Sequence, residues 1–162
     1  MNESTFLSLI DTDQYQVLFL ASRMSVPFVF ALHTWVVIVD HGEASRYDVW
    51  GDPGRCKTSW GHLHCDLYKP WLGVRIFPSE KSDPQAPRFR SFLLYELEGR
   101  EGSLAERIVQ FIRSKSKEYP YINDYHYFPG PNSNRFTQWI IDQFPELSFR
   151  LPWAAIGKKH RR

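Results

Sequence analysis

The chain has 162 residues, of which 43% are hydrophobic and 16% aromatic, the size of one domain with enough apolar sequence to bury a core. A formal net charge of +2 is too small a surplus for a dedicated nucleic-acid binder. No stretch is apolar for long enough to span a bilayer, the first residues are polar, and two cysteines, Cys56 and Cys65, make no disulfide framework, so a single cytoplasmic domain over 1–162 is expected. Lys158, Lys159, Arg161 and Arg162 make residues 157–162 a basic, flexible tail by the same reading.

In chain order, residues 15–21 read as a short strand and 27–39 as the longest apolar run. In that run Phe28, Phe30, Leu32, Val36 and Ile38 alternate with Val29, Ala31, Trp35 and Val37, as in a central strand covered on both faces. His33 falls on the second face. The polar Asp40-His41-Gly42-Glu43 turns the chain into a partner strand over 45–50. Further strands are expected at 62–68, 73–77 and 91–97, with Pro78, Pro84 and Pro87 in a loop between the last two. Ser103 caps a helix that carries Leu104, Ile108, Phe111 and Ile112 at helical spacing until Pro120. A second helix starts at Asn132 or Ser133, carries Phe136, Trp139, Ile140 and Phe144 on one stripe, and ends before Pro145. The fold class is α+β, an antiparallel sheet packed against two main helices.

Ser133 precedes Ile140 by seven residues, nearly two helical turns, so a hydroxyl heads the buried stripe. A nucleophile must point that way to meet a base on a strand. The free N–H groups of a helix start suit an oxyanion. The competing reading is capping, the ordinary use of Ser and Asn at such a position. His33, inside an apolar strand, needs hydrogen-bonding partners. It is either a satisfied core histidine or a general base for a hydroxyl. Asp48, on the neighbouring strand, is placed to orient the imidazole, or is an ordinary strand carboxylate. Asn132, Asn134, Trp35 and Tyr125 are the expected ligand-binding side chains, the last in the loop Asp124-Tyr125-His126-Tyr127.

Cys56, His62, His64 and Cys65 are of zinc-ligand type within ten positions, but the C-x-x-C turn is missing and Cys65 points away from the two histidines. No metal is expected. A phosphate loop, a dinucleotide fingerprint, H-E-x-x-H and G-x-S-x-G are all missing from the sequence, so no cofactor is implied.

The strings His33-Thr34-Trp35, Tyr119-Pro120-Tyr121, Pro129-Gly130-Pro131-Asn132-Ser133-Asn134-Arg135-Phe136 and Leu151-Pro152 through Ala155-Ile156-Gly157-Lys158 resemble the hallmark stretches of a bacterial family known only as a domain of unknown function. The sequence departs from that pattern at Lys159 and His160, where the family tends to carry Asp and an aromatic residue. More distantly, a histidine on an early strand followed by Asn132-Ser133-Asn134-Arg135-Phe136 is similar to the circularly permuted papain-like (NlpC-type) peptidases and acyltransferases, with serine at the thiol's position.

That resemblance implies a papain-like cleft in which Ser133 attacks an amide, ester or thioester and His33 accepts its proton, with Asp48 or another polar group expected to orient the ring. The partner would be a small-molecule, peptide or lipid substrate. The alternative is a binding module that keeps the cleft and recognises an anionic or peptide ligand through the helix start. A structural interaction protein follows if the aromatic residues form one exposed patch.

Overall fold

A computed structural model describes residues 1–76 and 88–159. The fold is α+β: six antiparallel strands in one sheet, with helices against it. The strands are β1 (Tyr15–Arg23), β2 (Leu32–Asp40), β3 (Glu43–Val49), β4 (Ser59–Trp60), β5 (Leu63–Cys65) and β6 (Ser91–Gly99). Their order across the sheet is β4-β5-β3-β2-β1-β6. The helices are α1 (Glu3–Leu7), α2 (Leu104–Lys115) and α3 (Ser133–Asp142), with a short 3₁₀ turn, Ser116–Glu118, after α2.

Strands β1 and β2 are central and buried along almost their whole length, which accounts for their unbroken apolar sequence. Alternation sends Val17, Phe19, Val36 and Ile38 to the face covered by α2 and α3, where they meet Ile108, Ile112, Phe136 and Ile140. Leu18, Leu20, Trp35, Val37 and Val39 go to the other face, closed by Phe6 of α1 and by Trp71. The serine cap of α2 is realised, Ser103 accepting from the Glu106 amide. Asn132, rather than Ser133, caps α3 by accepting from the Asn134 amide.

The strand expected over 27–39 begins only at Leu32. Residues β1 and β2 pair antiparallel as far as Arg23 with Leu32, so 24–31 must reverse the chain. Met24 N–H donates to the Ala31 carbonyl, and Phe28 and Ala31 amides close turns inside the loop. The apolar character of Phe28, Val29 and Phe30 therefore serves something other than the core, and all three are exposed.

The expected strand at 62–68 is shorter, Leu63–Cys65, and preceded by β4. Residues 73–76 form no strand, only a bridge between Arg75 and Arg88. Phe77 and the expected proline loop of Pro78, Pro84 and Pro87 lie outside the described residues. In the C-terminal segment, Lys158 Nζ donates to the Leu151 and Pro152 carbonyls, and residues 160–162 lie outside the described residues. Among the described residues no helix is long and apolar enough to cross a membrane.

Candidate active site

The helix start and the sheet meet at the first residues of β2. Asn134 Oδ1 accepts from the Thr34 amide (3.1 Å) and hydroxyl (2.9 Å), while its Nδ2 donates to the carbonyls of Leu32 (2.8 Å) and Ile156 (2.7 Å). Asn132 Nδ2 donates to the carbonyls of Tyr127 (3.2 Å) and Ile156 (3.1 Å). Two residues expected to bind ligand thus spend their side chains fastening α3 to β2 and to the C-terminal segment. Thr137 adds a further tie, its hydroxyl bonded to that of Thr34 at 3.0 Å. Gly157 (φ +88°) packs so close that a Cβ there would lie 2.5 Å from Asn132 Nδ2, in a backbone conformation that disfavours any side chain.

Ser133 stands between these two asparagines with its hydroxyl free of the capping bond. Its Oγ lies 3.0 Å from His33 Nδ1. His33 Nε2 lies 2.9 Å from Asp48 Oδ1. Residues 100 positions apart are joined in one hydrogen-bonded line, Ser133–His33–Asp48.

Asp48 shares its strand face with Arg46 by alternation. Arg46 Nε (3.1 Å) and Nη2 (2.6 Å), together with Trp50 Nε1 (2.7 Å), all donate to Asp48 Oδ2. Burial alone pushes this carboxyl up, but the neighbouring His33 imidazole and Arg46 guanidinium outweigh it and hold the pKa down at about 2. Burial likewise lowers the Arg46 pKa against the pull of Asp48. Each guanidinium nitrogen is nonetheless bonded, with Nη1 donating to the Lys69 and Leu72 carbonyls. It stacks over Trp35 at 4.0 Å. Trp35, another expected ligand-binding residue, is fully buried as the platform under Arg46.

An ionised carboxylate only accepts hydrogen bonds, so His33 Nε2 carries a proton toward Asp48, and in the neutral ring Nδ1 presents its lone pair to Ser133. The tautomer needed for a general base is therefore imposed by the neighbours. Trp50 packs 4.4 Å from the imidazole, ring centre to ring centre, limiting its rotation.

Ser133 and His33 are each only 3% exposed, but both line a cavity of about 280 Å³ whose walls are mainly apolar: Met24, Phe28, Phe30, Leu32, Phe128 and Ile156. Tyr125 also lines it and stacks on His62, and burial raises its phenol pKa. The Ser133 backbone N–H, first of the helix, makes no hydrogen bond among the described residues, leaving a donor beside the Ser133 hydroxyl of the kind an oxyanion would need.

The second constellation behaves differently. Cys56 Sγ lies 3.1 Å from Ser59 Oγ, which lies 2.6 Å from His64 Nδ1, while His62 Nδ1 meets the Trp50 carbonyl. Among the described residues no three His, Cys, Asp or Glu side chains are grouped to hold a metal.

Sequence reasoning passed over Arg46, Trp50, Thr34 and Thr137. The alternation Arg46-x-Asp48-x-Trp50 was a legible signal, since period two puts all three on one face of a strand. The model of one family matches residues 13–160 of the chain. The chain belongs to the family described as protein of unknown function (DUF3750). The match takes in both strands and the helix that build the DUF3750 site. No curated protein and no solved structure matches the chain.

Proposed function

We propose that this DUF3750 chain is a serine acyl hydrolase or acyltransferase acting on an ester, thioester or amide. The observation that carries the reading is the continuous line from Ser133 Oγ through both ring nitrogens of His33 to an Asp48 carboxylate that is itself fully hydrogen-bonded. Nucleophilic catalysis by a hydroxyl needs each part of such a line.

The Ser133 hydroxyl attacks the carbonyl carbon while its proton passes to His33 Nδ1. The carbonyl π-electrons move to oxygen, and the Ser133 backbone N–H with the positive end of α3 stabilises that charge. Asp48 stabilises the imidazolium without taking its proton. The tetrahedral intermediate collapses, expelling the alcohol, thiol or amine, which leaves with the proton from His33 Nδ1. Water, or an acceptor alcohol or amine, then attacks the acyl-Ser133 ester with His33 again as base, returning the serine hydroxyl. Every step uses groups of this chain, substrate and water.

The distant similarity to permuted papain-like enzymes supports this order of residues, base on an early strand and nucleophile at a later helix start. Two cysteines left as free thiols fit a reducing, cytoplasmic setting. A fluorophosphonate probe with peptide mapping tests the reading: one adduct on Ser133, lost in His33→Ala while the circular dichroism and melting curve persist. A folded wild-type protein that stays unlabelled, with the cavity open to a small apolar dye, returns the chain to the binding-module reading.

A further inference from the structure

Exposed apolar surface is concentrated where the nucleophile opens. Leu7 and Phe92 apart, the large exposed apolar side chains among the described residues are Val26, Phe28, Val29 and Phe30, then Tyr127 and Phe128, then Trp153. Phe28, Phe30, Tyr127 and Phe128 wall the cavity over Ser133. Trp153 adjoins it, because the next residue, Ala154, accepts the Leu32 amide on its carbonyl at 2.9 Å. Phe128 is 74% and Trp153 81% exposed, so neither ring fills the core, and exposed apolar side chains gathered around one cavity mark an interaction site.

The loop bearing Phe28 to Phe30 is built rather than loose. Its ends are tied by the Met24–Ala31 hydrogen bond, and Arg23 Nη1 donates to the Val29 carbonyl.

Among the described residues no Asp, Glu, Lys or Arg side chain contributes to the cavity lining. The asparagine amides there are already engaged with backbone carbonyls. A peptide or sugar entering it would lose its water and find few partners, at a cost of roughly 1–3 kcal/mol for each buried group left unpaired. An aliphatic chain has no polar groups to strip of water and gains from burial. At about 280 Å³ the space is at the small end of ligand sites and suits a slender body rather than a bulky head group.

We propose that the cavity receives the aliphatic acyl chain of a lipid ester, thioester or amide, and that the aromatic rim docks on the membrane surface from which that chain is drawn. Charge favours a lipid surface over a second copy of the chain. Arg23, at the base of the loop, pairs with no carboxylate among the described residues. Exposed Phe, Tyr and Trp beside a cation with no carboxylate partner are the composition of an interfacial anchor on anionic lipid. Two copies meeting rim to rim would bring their Arg23 charges together.

The fate of the chain rests on the acyl-transfer reading, but its binding does not, and Ser133→Ala separates the two. The S133A protein should sediment with vesicles of 70% phosphatidylcholine and 30% phosphatidylglycerol. Val29→Glu with Trp153→Glu, both exposed positions outside the cavity lining, should lower that partitioning by roughly tenfold or more. S133A should also bind dodecanoate in calorimetry and show no heat with butyrate, and Ala31→Trp should remove the dodecanoate signal. Should Ala31→Trp fail to fold, Phe28→Ser at an exposed lining position replaces it.

If the wild-type protein takes no fluorophosphonate while S133A binds vesicles and dodecanoate, the lipid site stands and the catalytic reading falls. S133A that ignores both vesicles and dodecanoate overturns the proposal. So does a dimer in sedimentation velocity that V29E/W153E dissociates, or rim-dependent binding of an apolar peptide with none to vesicles.

Discussion

Replacing Asp48 with asparagine changes one atom, and the structure dictates how the new side chain must sit. Oδ2 of Asp48 faces three donors, Arg46 Nε, Arg46 Nη2 and Trp50 Nε1, so the amide oxygen of Asn must occupy that place. Its NH2 then faces His33 Nε2, which can only respond by accepting. The ring proton moves to Nδ1, toward Ser133, and the base is lost. A wrong tautomer in an otherwise intact triad costs about 10⁴ in kcat, or roughly 5 kcal/mol of barrier. Stability falls as well, because removing one partner of a buried pair costs about 3–5 kcal/mol, here by leaving the Arg46 charge uncompensated. The assay therefore runs at a temperature where circular dichroism shows D48N folded, with fluorophosphonate labelling rate as one readout and ¹⁵N imidazole shifts as the other. Wild type should show the Nε2-protonated tautomer and D48N the Nδ1-protonated one. A folded D48N that keeps the wild-type tautomer and labelling rate would refute the assignment of His33 as base and Asp48 as its orienting group.

Four further outcomes follow from the same geometry. Because the folded pKa of Asp48 lies near 2, below its unbonded value of 3.8, the group stabilises the fold above pH 4. That contribution, roughly 2 kcal/mol, disappears as pH falls through 2, so denaturant melts of wild type should lose stability between pH 4 and 2 more steeply than those of D48N. Gly157→Ala should lower the melting temperature by several degrees and slow labelling of Ser133, since its Cβ would displace Asn132, the cap of α3; an unchanged melt would discount the close approach. Asn134→Asp should destabilise by about 2–4 kcal/mol in urea, as a carboxylate oxygen would face the Leu32 and Ile156 carbonyls. At pH 8 iodoacetamide should modify Cys56 well before Cys65, read by mass spectrometry. Burial with the nearby Asp66 raises the Cys65 thiol to about 12. At Cys56 hydrogen bonds from Ser59 and Thr58 outweigh a burial effect of the opposite sign.

Local signals determined much of this protein. Ser103, the helical stripe from Phe136 to Ile140 and the apolar alternation in β2 state their roles in sequence, because caps and periodicity depend on neighbours a few residues away. They also put Ser133 at a helix start and His33 on a strand. The tertiary structure alone decided that 24–31 turns back, since an apolar run reads the same in a strand or a hairpin loop until its pairing partner is known. It alone distinguished Asn132 and Asn134, whose amides hold the fold, from Ser133, whose hydroxyl is left for His33. And it alone supplied Arg46 and Trp50 as the donors that fix Asp48, because a buried charge is assigned its role by partners brought together across strands, at distances in space that separation along the chain does not encode.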